Sequence, residues 1–141
     1  MSDAIKHECG IALLRLKKPL EFYLKKYGTA LYGLNKMYLL MEKQHNRGQD
    51  GAGLANIKFD VAPGTRYISR YRSVKNQPIK DIFSHINKRF ENLHTNHPEK
   101  LTDVDYLKAN EAFTGELFLG HLRYGTFGGN KVENCHPFLR Q

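Results

Sequence analysis

At 141 residues, with 40% hydrophobic and 26% charged side chains, the chain has the size and make-up of one globular domain rather than a disordered or fibrous segment. No apolar run reaches the ~20 residues needed to cross a bilayer, and Met1–Glu8 lacks the apolar stretch of a secretory signal. The expected compartment is therefore the cytoplasm, with no membrane partner and with Cys9 and Cys135 as free thiols. The net charge of +8 gathers partly in residues 66–89, where seven basic residues face the single acid Asp81. Solvated lysines and arginines account for that band; Tyr67, Tyr71 and Phe83 interleave with it but form no RNA-reading motif, so nucleic acid is not an expected partner.

Gly10–Leu16 is a short apolar run closed by Lys17-Lys18-Pro19, which reads as a buried strand ending in a turn and places Cys9 at its leading end. Leu31, Leu34, Met37, Tyr38 and Met41 then recur at helical spacing, predicting an amphipathic helix over residues 30–45 with these large residues in the core. Asn46-Arg47-Gly48 would end it, since Asn and Gly accept the left-handed conformation of a helix stop.

Ala52–Phe59 and Arg66–Arg72 read as strands joined by the turn Ala62-Pro63-Gly64, most simply a hairpin. Pro78 sits where a first helical residue belongs, and Ile79, Ile82, Phe83, Ile86, Phe90 and Leu93 mark the buried face of the helix that follows. Residues 94–112 are polar and weakly patterned. Glu116–Leu122 alternates, with Leu117, Leu119 and Gly120 as its apolar positions, and delivers Arg123 at a strand end. Strands and helices in this order suit an α+β domain with helices packed on a sheet.

Three segments carry chemistry. Cys9-Gly10-Ile11 offers a sulfur at a strand end where Gly10, having no Cβ, lets other groups approach closely. RGQDGAG, Arg47 to Gly53, follows the first long helix and precedes a strand. GHLRYGTFG at 120–128 brings an arginine out of a strand, and GGNKVENCHPF follows at 128–138. In this order and spacing the segments resemble the class II glutamine amidotransferases, whose nucleophile is an N-terminal cysteine. The Glu-Asn pair followed by Pro and an apolar residue is most similar to the amidophosphoribosyltransferase family. The resemblance spans nearly all of Cys9 to Gln141.

That resemblance implies a four-layer α/β/β/α sandwich of the N-terminal-nucleophile hydrolase type, incomplete at its C-terminus. It implies Met1–Glu8 as a propeptide and 9–141 as the N-terminal part of the amidotransferase domain, without a phosphoribosyltransferase domain. Cys9 would be the catalytic nucleophile. Near neutral pH an α-amine (pKa about 7.7–8.0) is able to take the proton of its own thiol (pKa about 8.5), so one residue serves as nucleophile and base once Met1–Glu8 is removed. Arg123 would hold the glutamine α-carboxylate in its guanidinium fork, with Tyr124, Gly125 and Thr126 lining the same pocket. Arg47 and Gly48 match the family's Arg-Gly near the nucleophile, although Asn46 intervenes where the family runs histidine directly into arginine. Asp50 and Gly53 are read as structural residues of the turn and strand entry.

The expected partners are glutamine and, in the parent enzyme, phosphoribosyl pyrophosphate, with a homo-oligomeric parent. No cofactor is expected in this chain; magnesium would belong to the transferase domain. Cys135-His136 and His94-x-x-His97 lack a second ligand pair at zinc spacing, so no metal site is expected. The family's oxyanion asparagine-glycine segment and amine-binding aspartate would follow Gln141, which implies a weakly active or inactive fragment, an uncovered apolar face and self-association. The parent reaction would make phosphoribosylamine for purine synthesis. Another amidotransferase of this class, feeding an aminosugar or asparagine pathway, or a non-catalytic glutamine-binding remnant remain alternatives.

Overall fold

Strands drawn from both ends of the sequence pair into one sheet, and the two longest described helices lie against one of its faces. The computed structural model describes residues 9–44, 50–123 and 131–140, and it is mixed α/β, with a four-stranded antiparallel sheet and four α-helices among those residues. The chain order is β1 (Gly10–Arg15), α1 (Leu20–Tyr27), α2 (Tyr32–Glu42), β2 (Gly51–Ile57), β3 (Ile68–Ser73), α3 (Pro78–Asn96), α4 (Val104–Asn110) and β4 (Leu117–Arg123). In the sheet the order is β1-β4-β2-β3, so the last strand inserts between the first two. None of the described helices is long and apolar enough to cross a membrane.

The two-residue period of the strands divides the sheet into unlike faces. Ala12 of β1, Ala52 and Leu54 of β2, and Phe118 and Leu122 of β4 point to the helix side and are buried. Gly120 points there too, and a Cβ at that position would stand 2.8 Å from Met41 Sδ and 3.0 Å from Met37 Cε. Its bareness is what lets the two α2 methionines pack flat on the centre of the sheet. The core positions of β4 are therefore Phe118, Gly120 and Leu122, whereas the alternation read from the sequence centred on Leu117 and Leu119, which face the other way. Buried Asn56 completes this layer, donating from Nδ2 to the Leu117 carbonyl (3.0 Å) and accepting from the Gly115 amide (2.7 Å). A buried amide with both ends satisfied ties β2 to the entry of β4.

The helices follow their apolar stripes. On α3 the buried residues are Pro78, Ile79, Ile82, Phe83, Ile86, Phe90 and Leu93, the face expected from the sequence. On α2 they are Gly33, Leu34, Met37 and Met41; Tyr38, expected in the core, is instead 37% exposed. The helix α1 was not evident in the sequence: it is eight residues long, buries only Leu20 and Tyr23, and ends where Gly28, at φ +80°, returns its amide to the Leu24 carbonyl at 2.9 Å. Helix α4 was hidden in the polar stretch and is started by Asp103, whose carboxylate accepts from the Tyr106 amide at 3.0 Å. The β2–β3 hairpin is present as expected, with the Thr65 amide bonded to the Ala62 carbonyl at 3.1 Å across its turn.

At the far end of the sheet from Cys9, buried charge fastens α4 to the strands. Lys108 donates through Nζ to Glu116 Oε2 and to the Phe59 carbonyl, while Glu116 Oε1 accepts from the Phe59 amide at 2.9 Å. Lys58 Nζ donates to the Lys108 carbonyl at 2.8 Å, and burial lowers its pKa. Such a pair is costly to break one-sidedly because the surviving charge stays in low dielectric. Lys108→Met should therefore destabilise the chain by about 3–4 kcal/mol in urea unfolding, and the paired replacement Lys108→Met with Glu116→Met should recover more than half of that loss. Equal losses from the single and double variants would contradict this account.

Candidate functional site

The end of the sheet opposite the Lys108–Glu116 pair gathers the chemistry. Gly10 is the Cα partner of Leu122 in the antiparallel β1–β4 ladder. Cys9 directly precedes the first paired residue of β1 and Arg123 directly follows Leu122 as the last residue of β4, so both lie at this end of the sheet. On the other side of β4, Gly51 is the partner of Arg123, and the Asp50 amide donates to the Arg123 carbonyl at 3.1 Å. The end of β4 is thus flanked by the start of β1 and the start of β2. Cys9 is exposed, and Arg123 is buried to 8% exposure.

Gly10 admits the close approach expected of it. Gln44, just past α2, donates through Nε2 to the Ile11 carbonyl at 3.0 Å, and a Cβ on Gly10 would lie 2.4 Å from Gln44 Oε1. The side chain of Gln44 thereby pins the backbone immediately after the candidate nucleophile. Arg47, Gly48, Tyr124, Gly125 and Thr126, along with the helix stop at Asn46 and the segment Met1–Glu8, lie outside the described residues. Their neighbours in sequence, Asp50 and Arg123, stand at this same end of the sheet.

The structure brings in a group that the sequence reading passed over. Residues 131–140 cross the face of the sheet opposite α2 and α3. Arg72 donates to the Cys135 carbonyl (3.1 Å) and Arg70 to the Pro137 carbonyl (3.3 Å), so two residues two apart on β3 hold alternate carbonyls of the crossing strap. A Cβ on Gly53 would fall 1.8 Å from the His136 carbonyl oxygen, which is why the strap lies directly on β2 only at glycine. Much of the basic band is thus employed inside the chain: Arg70 and Arg72 on the strap, Arg89 on Glu111 at 2.8 Å, and Lys75 on Asp81 at 3.4 Å.

Under the strap lies His121, two residues before Arg123 and on the same face of β4. Its ring is 4.6 Å from that of His136, which in turn is 4.0 Å from Phe138. Its Nδ1 is buried with no hydrogen-bond partner among the described residues. Burial first, then the neighbouring His136 and Arg123, lower its pKa from 6.5 to about 4, so the imidazole is neutral at physiological pH. The Gly-His-x-Arg spacing was the available signal, because the two-residue period puts His121 and Arg123 side by side. Cys135 is fully buried, with Sγ 4.0 Å from the Ser73 carbonyl, and burial raises its thiol pKa, which opposes any role as a nucleophile. No group of three or more potential metal ligands occurs among the described residues.

An exposed thiol and a buried guanidinium thus lie at the same end of the sheet. The chain is 32% identical over 102 residues to the amidophosphoribosyltransferase of Methanocaldococcus jannaschii, a match covering 72% of this chain and 15% of that protein. No family model matches, and no solved structure matches.

Two outcomes follow from the strap. Gly53→Ala should lift it, and the His121 ring should then titrate well above 4, towards 6.5, in an NMR pH series; an unchanged His121 would contradict the contact. In the folded chain His121 refuses a proton that the unfolded chain accepts below pH 6.5, so stability should decline as pH falls from 6.5 to about 4. After allowance for solvent on the partly exposed ring the decline is on the order of 1–2 kcal/mol, and His121→Asn should remove that part of the pH dependence.

Proposed function

We propose that this chain is part of the glutaminase domain of an amidophosphoribosyltransferase, in which Cys9 is the nucleophile and Arg123 holds the substrate α-carboxylate. The observation that supports the reading is that Cys9 adjoins the start of β1 and Arg123 ends β4, the antiparallel neighbour of β1, so that both lie at one end of the sheet. The likeness to the M. jannaschii protein supports the choice of amidotransferase. Glutamine hydrolysis, supply of ammonia for phosphoribosylamine, and a place in purine synthesis belong to this proposal.

In the proposed reaction, removal of Met1–Glu8 frees the Cys9 α-amine, which accepts the thiol proton. The thiolate attacks the side-chain amide carbon of glutamine, the amine returns the proton to the departing nitrogen, and the C–N bond breaks to release ammonia and leave a γ-glutamyl thioester. Water then cleaves the thioester to give glutamate and the free thiol. The guanidinium of Arg123 contributes by orientation, presenting a planar fork to the carboxylate at the other end of the substrate. In the parent enzyme, phosphoribosyl pyrophosphate would receive the ammonia at a magnesium-dependent transferase domain.

The face of the sheet opposite α2 and α3 supports the sandwich architecture that goes with this function. Ile11 and Leu13 on β1 are 65% and 66% exposed, and Leu119 of β4, the partner of Leu13, is 38% exposed. Three large apolar side chains in one patch beside the strap need a cover, and a second sheet against them completes the proposed four-layer fold.

Intact-mass analysis tests the reading. The purified protein should lose Met1–Glu8, and a glutamine-shaped chloroketone should add once, at Cys9, leaving buried Cys135 unmodified. An unprocessed chain whose Cys9 stays unlabelled would overturn the catalytic reading in favour of a glutamine-binding remnant.

A further inference from the structure

We propose that the groove between α2 and α3, on the outer side of the helix layer, docks an amphipathic helix of another protein that carries acidic residues along one flank. The groove faces away from the sheet and does not depend on the glutaminase reading. It opens as a cleft of about 780 Å³ floored by Tyr38, Leu39 and Phe83 and continues into a second of about 460 Å³, the two sharing Asn35, Asn87 and Glu91. Along α3 its wall is formed by Lys80, Ser84, Asn87, Glu91 and Thr95. Spacings of three and four keep these residues on one helix face for about 22 Å, the length of a four-turn partner.

The apolar floor exceeds what α2 needs for its own fold. Leu34, Met37 and Met41 already bury one stripe against the sheet. Tyr38 and Leu39 stand outside that stripe and line the groove, 37% and 53% exposed, with Tyr38 held edge-on to Phe83 at 5.2 Å. A helix that merely covers a sheet presents polar residues there. Groove recognition of a helix uses such a floor, with apolar anchors at i, i+3, i+4 and i+7.

Charge selects the occupant. Lys75 and Arg89, elsewhere on this part of the chain, are matched by Asp81 and Glu111. On the groove wall, Lys80 and Lys88 have no ion-pair partner among the described residues, and Glu91 is the one acid in the lining. Acidic side chains on the partner would meet the two ammoniums. A second copy of this chain is a poor fit, because its net charge of +8 would set like charges together.

The test uses two labelled helical peptides of about 15 residues that share a leucine stripe and differ only in Glu or Lys flanking it, titrated by fluorescence anisotropy. The Glu-flanked peptide should bind at least about tenfold more tightly than the Lys-flanked one. Leu39→Glu should weaken it by about tenfold or more with the fold unchanged by circular dichroism, and Lys80→Glu with Lys88→Glu should reverse the preference between peptides. Leu13→Glu, on the bare sheet face, should change neither. Absence of binding, retention of the acidic preference in the Lys80/Lys88 double variant, or loss of binding through Leu13→Glu would overturn the proposal.

Discussion

The pairing of β4 between β1 and β2 is the interaction on which the rest of the structure depends. It joins Gly10 to Leu122 and Gly51 to Arg123, residues far apart in sequence, and it forms the floor against which α2 and α3 bury their apolar stripes. Because side chains alternate along a strand, this one register decides two things together. Phe118, Gly120 and Leu122 enter the helix-side core, and His121 and Arg123 are committed to the opposite face. A slip of one residue would bury the guanidinium beneath α2 and turn Phe118 to the other side.

The same constraint relates stability to function. The Arg123 end of β4 is set by ladder bonds to both neighbours, while its other end is clamped by Asn56 and by the Lys108–Glu116 pair. Strand β4 is therefore held at both ends, and a side chain at its tip is positioned by the sheet rather than by a loop. Cys9 gains position more locally, through Gln44 on the Ile11 carbonyl. Against this fixed frame the strap of residues 131–140 is held by hydrogen bonds from two β3 arginines and by contact at Gly53. It covers His121 and keeps that imidazole neutral beside the arginine.

Much of this was legible in the sequence because it rests on periodicity. The buried face of α3, the placement of Gly10 at a close approach, the β2–β3 hairpin and the delivery of Arg123 at a strand end all follow from local spacing. What was not legible came from partners distant in sequence. Tyr38 lies on the apolar stripe by spacing, yet it is drawn out to Phe83 across the α2–α3 groove. Helices α1 and α4 are short and bury little, so no apolar stripe announces them. The inward residues of β4 were misread because Gly120 contributes no side chain and its space is filled by Met37 and Met41. The strap was invisible because its anchors, Arg70 and Arg72, look like surface charge until the Cys135 and Pro137 carbonyls are brought to them. Of the candidate site, Cys9 and Arg123 lie at one end of the sheet, whereas Arg47, Gly48, Tyr124, Gly125 and Thr126 fall outside the described residues.

The central claim is that Arg123 recognises a carboxylate for chemistry at Cys9, and the most direct measurement is the rate of Cys9 alkylation in wild type and in Arg123→Ala. Two reagents are compared, a glutamine-shaped chloroketone and carboxylate-free iodoacetamide. A charge-assisted bidentate contact is worth about 1.5–3 kcal/mol, so the variant should react about 10- to 100-fold more slowly with the first reagent and at an unchanged rate with the second. Equal slowing with both reagents, or with neither, would contradict the account.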